Sequence, residues 1–200
     1  MLKIGLTGGI ATGKSTVSSM LKEEGFAFID ADIVSIEVFT LYPSLTDELK
    51  RTFSETFFYE DGALKRREFG NYIFKYSKER VKYENIIIPL IKDRIKELFD
   101  EYEKKGEKVV ILDAPTLIEN NMQDYVDYII LVWTNSQEQI KRLINRNNFT
   151  REEAMDRINS QMNLEKKKKY VDFIIDNSDS IESTKEEVHE LISLIKMLNN

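Results

Sequence analysis

The chain contains no cysteine, one histidine, one tryptophan and three prolines in 200 residues. Without thiols it has no disulfides and no thiolate metal sites, a composition suited to a reducing compartment, and the cytoplasm is the expected location. The lone histidine, His189, falls far from every motif and is expected on the surface. Long hydrophobic runs are also missing. Charges interrupt each apolar stretch, so neither a signal peptide nor a membrane span is expected. Excess positive charge is absent too: the net charge is −6 and the sequence pI about 5.1, which argues against a general nucleic-acid binder that displaces counterions with a basic face. No internal repeat is found, and Lys166 to Lys169 is the only low-complexity tract. A hydrophobic content of 42% and this length suit one globular unit with embellishments.

Glycine is scarce as well, at eight residues, yet three fall within Gly8-Gly9-Ile10-Ala11-Thr12-Gly13-Lys14-Ser15. This is a complete Walker A pattern, placed between the apolar run Leu2 to Leu6 and a helical pattern bearing Val17, Met20 and Leu21. Gly8, Gly9 and Gly13 let the backbone turn sharply, so that N–H groups can approach phosphate oxygens without an intervening β-carbon. Lys14 supplies a point charge for the β- and γ-phosphates of a nucleoside triphosphate, and Ser15 a hydroxyl for Mg²⁺. The expected nucleotide-binding residues are therefore Gly8, Gly9, Ile10, Ala11, Thr12, Gly13, Lys14, Ser15 and Thr16.

The rest of the chain alternates strands and helices. Gly25 is expected to stop the first helix, and Phe26 to Ile29 reads as a strand ending at Asp30. Ile33 to Thr40 looks helical; Pro43 breaks that pattern, with Ser44 or Thr46 expected to cap a further helix before the Asp61-Gly62 turn. Arg66 to Tyr76 and Lys78 to Glu103 follow as helices, Pro89 bending or interrupting the second. Strand character returns at Val109 to Leu112, at Val126 to Trp133 and more weakly at Val171 to Ile175. These β-branched runs lack polar alternation, as parallel strands buried on both faces do, so the fold class is α/β. The polar segment from Ser136 to Lys169 contains a capping box, Thr150 to Glu153, and Glu182 to Leu198 forms a closing helix.

Three further features carry chemistry. Asp30-Ala31-Asp32 ends the second strand, and the carboxyl ends of parallel strands line the ligand crevice. There Asp32 could orient a hydroxyl nucleophile or help hold Mg²⁺, or it could cap the next helix. Asp113 follows four apolar residues in a loose Walker B pattern, which fits a carboxylate near Mg²⁺ and fits equally any buried strand ending in aspartate. Arg142 and Arg146, four apart on one helical face, and Arg157 suit a closing lid that clamps phosphate oxygens, or a solvated helix with local ion pairs. Lys166 to Lys169 reads as a solvated or phosphate-attracting rim.

Taken together, these motifs resemble the dephospho-coenzyme A kinases along nearly the whole chain. The resemblance rests on Gly5 to Gly9 leading into the loop, Ile29 to Asp32, Asp61 to Arg66, Pro115 to Glu119, Arg142 to Arg146, Arg157-Ile158 to Gln161, and Asp176-Asn177. It implies a P-loop three-layer sandwich with a five-stranded parallel sheet, in which a core of 1–32, 90–135 and 170–200 carries a helical coenzyme A-binding insertion at 33–89 and a helical lid at 136–169. It implies transfer of the ATP γ-phosphate to the ribose 3′-hydroxyl of dephospho-coenzyme A, with Mg²⁺ as cofactor, a small-molecule partner, and neither nucleic acid nor membrane. By the same resemblance Asp32 is the general base, Lys14 and Arg142 are catalytic, Asn177 lies near adenine, and Asp32, Arg66 and Glu119 bind the acceptor. The chain departs from the family with Ile88-Pro89 where relatives usually show His-Pro, and with Lys166 to Lys169 where arginine is usual. The competing readings are another small-molecule P-loop kinase and a GTPase-type switch; the latter lacks an Asn-Lys-x-Asp sequence to read guanine.

Overall fold

Strand β1 (Leu2–Gly8) sends alternate residues to opposite sides of the sheet, so that Ile4 and Leu6 join one buried cluster while Gly5 faces the other side. A β-carbon on Gly5 would stand 2.6 Å from Leu117 Cδ1, so close packing of the later loop requires glycine there. In this computed structural model, which describes residues 1–199, β1 runs through the glycine-rich loop into helix α1 (Lys14–Glu23). Gly25, at φ +92°, ends that helix as expected, and strand β2 (Ala27–Asp30) follows.

Four helices come next: α2 (Ala31–Leu41), α3 (Pro43–Thr52), α4 (Arg66–Lys75) and α5 (Ser77–Lys104). The start of α3 corrects the expected cap. Pro43 itself is the first helical residue, with Tyr42 before it as N-cap, so neither Ser44 nor Thr46 caps the helix. Proline is suited to that place because the N–H it lacks would have no intrahelical partner anyway. Pro89 does not divide α5, whose helix continues across it. Ile87, Ile91, Ile95 and Phe99, spaced every four residues, are all buried, and that continuous apolar stripe outweighs the single hydrogen bond proline removes.

Strands β3 (Val109–Asp113), β4 (Tyr128–Trp133) and β5 (Phe173–Asp176) complete the sheet. Helices α6 (Ser136–Asn147), α7 (Arg151–Asn159) and α8 (Leu164–Lys167) lie between β4 and β5 in sequence, and α9 (Ile181–Leu198) closes the chain. The strand order is β2-β3-β1-β4-β5 and every neighbouring pair is parallel. All five residues of β3 are buried, which is why the run shows no polar alternation. On one face Val17 and Leu21 of α1 and Val188, Leu191, Ile192 and Ile195 of α9 pack with Ile4, Leu6, Ile111, Ile130 and Val132 of the strands.

The chain divides into two compact units, one formed by Met1–Asp30 together with the segment from Phe99 onward, the other by Ala31–Leu98. The first holds the sheet. The second is helical, and the expected insertion at 33–89 falls inside it. Its centre is aromatic: Phe69, buried, meets Phe53, Phe57 and Tyr83 edge-on at ring distances of 5.1, 5.3 and 5.1 Å. Burial there pushes the Tyr83 hydroxyl up to about 12.

Candidate nucleotide site

The glycine-rich loop is held open by its own turns. Thr12, fully buried, donates its hydroxyl to the Gly9 carbonyl at 3.0 Å, and Ala11 and Gly13 adopt φ of +60° and +88°. No side chain caps α1, whose N-cap is Gly13, so the positive end of a helix dipole is left uncapped where the loop ends. Such an end attracts anions. Ser15 is exposed at this helix start.

Lys14 pairs with Asp113 at the end of β3, and the other Asp113 oxygen lies 2.6 Å from the Ser18 hydroxyl. Asp113 thus contacts the P-loop lysine directly. It stands in register with Leu6 of β1 on one side and Asp30 of β2 on the other. Across the loop, Arg142 of α6 directs Nη2 to the Asn177 carbonyl at 2.7 Å and Nη1 to the Thr12 carbonyl at 3.5 Å, while Glu138 accepts from its Nε at 3.1 Å. Partial desolvation pushes the Glu138 carboxyl up, but hydrogen bonds from Lys141 and Arg142 together hold it below its ordinary value. The Asn177 amide donates to the Thr12 carbonyl at 2.7 Å and its oxygen accepts from Thr184 at 2.8 Å. A β-carbon on Gly13 would run into that amide, so Gly13 is needed for close approach as well as for its left-handed backbone.

A second set of contacts grips the loop from the far side. Ile10 donates its N–H to Gln161 at 2.8 Å and accepts from Gln139 at 2.7 Å. Ile10 and Ala11 also pack against the small cluster of Ile140, Leu143 and Ala154. Lys167 is fully buried, and its ammonium donates to the Gly8 carbonyl at 2.9 Å, the Pro115 carbonyl at 2.7 Å and Glu119 Oε1 at 3.0 Å. Burial lowers its pKa, with the Glu119 charge opposing and the Lys14 charge adding to the shift.

A sequence model of the dephospho-CoA kinase family matches residues 2–183. The chain belongs to the dephospho-CoA kinase family. It is 51% identical over 198 residues to a dephospho-CoA kinase of Clostridium tetani, covering 98% of this chain and 87% of that protein. To the one of Clostridium perfringens it is 48% identical over 197 residues, covering 98% and 99%. Its fold matches the solved structure of a dephospho-CoA kinase from Campylobacter jejuni with a TM-score of 0.75 over 99% and 98% of the two chains, at 24% identity.

Of the residues expected to serve this family's chemistry, the structure brings together Gly8 to Thr16, Arg142, Asn177 and Glu119 in the sheet unit, while Asp32 and Arg66 belong to the helical unit. Arg66 is exposed and its guanidinium stacks over the Phe39 ring at 4.7 Å. Asp32 is exposed in the first turn of α2. The side chain of Asn177 is occupied within the fold, and Glu119 is occupied by Lys167 and by the Met162 N–H at 3.2 Å. Arg142 reaches the loop, while Arg146 turns to Asn147 and Arg157 stands over the Phe149 ring. The lysine run requires a correction. Lys166 and Lys169 are exposed and Lys168 lies over the Trp133 ring, but Lys167 is no rim residue, being buried against the loop. In sequence it is one lysine among four; its place three residues after the buried Leu164, on the same face of α8, is the only signal that marks it. Gln139, Ser18 and Thr184 were equally hidden among ordinary polar positions.

Proposed function

We propose that this chain transfers the γ-phosphate of ATP to the ribose 3′-hydroxyl of dephospho-coenzyme A, giving coenzyme A and ADP. The observation that carries the reading is the loop itself, an uncapped helix start with Lys14 and Arg142 on either side of it, in a chain of this family. In the reaction Asp32 takes the hydroxyl proton as the 3′-oxygen attacks the γ-phosphorus in line, and the bond from that phosphorus to the β,γ-bridging oxygen breaks. Loop N–H groups, Lys14 and Arg142 stabilise the charge that spreads over the moving phosphoryl group. No covalent intermediate is needed. Asp113 pairs with Lys14, so carboxylate and phosphate oxygens share the ammonium, which keeps Lys14 extended towards its task.

Mg²⁺, held by the Ser15 hydroxyl with phosphate oxygens and water, would supply neutralisation of the β- and γ-phosphate charge. Among the described residues no group of three or more acidic or histidine side chains could hold a metal alone, which fits an ion that arrives with the nucleotide. Arg66 contributes to acceptor binding. Glu119 acts through Lys167, and Asn177 by seating the loop and the Arg142 fork. The reaction takes place in the cytoplasm on a small molecule. The reading is tested by coupled ADP release with MgATP. Turnover that requires dephospho-coenzyme A, and is absent with coenzyme A or with no acceptor, is the expected result; equal ADP release in all three would overturn it.

A further inference from the structure

We infer that Lys167 is a positioning residue for phosphoryl transfer: its buried ammonium, locked by Glu119, pins the Gly8 carbonyl and so fixes the direction in which the phosphate-binding loop presents its donors. The inference rests on the nucleotide-site reading but not on the identity of the acceptor.

The chemistry of the ammonium makes the arrangement complete. A lysine head has three N–H donors and no acceptor, and here three oxygens meet it: Gly8 O at 2.9 Å, Pro115 O at 2.7 Å and Glu119 Oε1 at 3.0 Å. Two are backbone carbonyls of segments that frame the site. Gly8 is the first residue of the Walker A loop, and Pro115 follows two residues after Asp113, the partner of Lys14. Thr7 adds its hydroxyl to the same Pro115 oxygen at 3.0 Å. In a planar trans peptide the carbonyl oxygen and the next N–H point to opposite sides. An ammonium seated on Gly8 O therefore turns the Gly9 N–H away from Lys167, and its charge polarises that peptide in the sense that strengthens the donor.

A charge buried so fully would be a liability unless it were paired and hydrogen-bonded. Glu119 meets that need. Its Oε1 also accepts the Met162 N–H, tying the segment before α8 to the same point. A hydrophobic residue could fill the volume of Lys167, but it could hold neither carbonyl. Gln139 and Gln161 fix Ile10 by similar means, one side-chain amide on its N–H and the other on its carbonyl. The grip from beneath the loop is thus made of three side chains from α6, α8 and the turn between α7 and α8, with Lys167 its one cation.

The experiment compares the double variant Lys167→Met/Glu119→Gln, which leaves no unpaired charge, with the parent chain. Thermal melting reports the fold, and titration with ADP, which needs no acceptor, reports the loop. Positioning predicts a melting temperature close to the parent with ADP binding weakened about tenfold or more and kcat reduced in step, since a donor misplaced by an ångström costs on that order. Parent-like ADP affinity in the folded double variant overturns the inference. Should that variant not hold its fold, Glu119→Gln alone answers: it keeps Lys167 on the two carbonyls but unlocks it, and about threefold weaker ADP binding or more is expected, whereas unchanged affinity and unchanged kcat overturn the inference. Loss of dephospho-coenzyme A turnover in the parent chain would instead strike the proposed acceptor and leave this test standing.

Discussion

Asp32 stands two residues beyond the end of β2, in the first turn of α2, where a carboxylate also complements the helix dipole. Replacing it by asparagine keeps the shape and removes the base. Asp32→Asn is expected to leave ATP affinity nearly intact and to lower kcat about a hundredfold or more, the range for a positioned general base; near-parent turnover in steady-state kinetics would remove Asp32 from the role. At this scale the sequence is readable where chemistry and spacing coincide. Lys14, Ser15 and Gly13 belong to a contiguous pattern whose backbone demands are known, whereas helical spacing alone did not separate Arg142, which reaches the loop, from Arg146, which turns to Asn147. Lys167 was not readable, because its neighbours are lysines too and only the approach of Gly8 and Pro115, residues 159 and 52 positions away, gives its ammonium a purpose. Glu119 and Asn177 were recognised as positions of note, but the contacts that occupy their side chains are long-range and leave no trace in local spacing.

The elements show the same division. Five apolar runs became five parallel strands, the central ones buried on both faces, and the Thr150 capping box is complete: Glu153 N–H donates to the Thr150 hydroxyl at 3.2 Å and the Thr150 N–H to the Glu153 carboxylate at 2.8 Å. That box starts α7, whose Ala154 and Ile158 stand behind Ile10 and Ala11 of the loop. Thr150→Ala is expected to cost about 1 kcal/mol, to lower the melting temperature by about 2–4 °C, and to speed amide exchange in the first turn of α7. Unchanged melting and exchange would mean that packing alone sets the helix start. Proline has two outcomes here. Pro43 does end the first helical pattern, α2 stopping at Leu41, but it also opens α3 in place of the expected Ser44 or Thr46 cap. Pro89 does not interrupt α5, being carried inside it by a buried stripe of isoleucines and Phe99, an outcome that depends on what the helix packs against rather than on proline itself.

For the whole molecule, the α/β alternation, the strand count and the helical segment between β2 and β3 follow from hydrophobic patterning, and that segment falls within the helical unit of Ala31–Leu98. The sheet unit assembles the anion-binding loop, its lysine, its arginine and the buried lysine that holds Gly8; Asp32 and Arg66 fall in the helical unit. Under the proposed function the chain serves a single event, movement of one phosphoryl group from ATP to a secondary ribose hydroxyl. The most direct measurement is phosphorus NMR of the product formed from MgATP and dephospho-coenzyme A. A new phosphomonoester resonance coupled to the ribose 3′ proton, growing in step with ADP, is the expected result. Phosphate appearing at another hydroxyl, or inorganic phosphate alone, would contradict it.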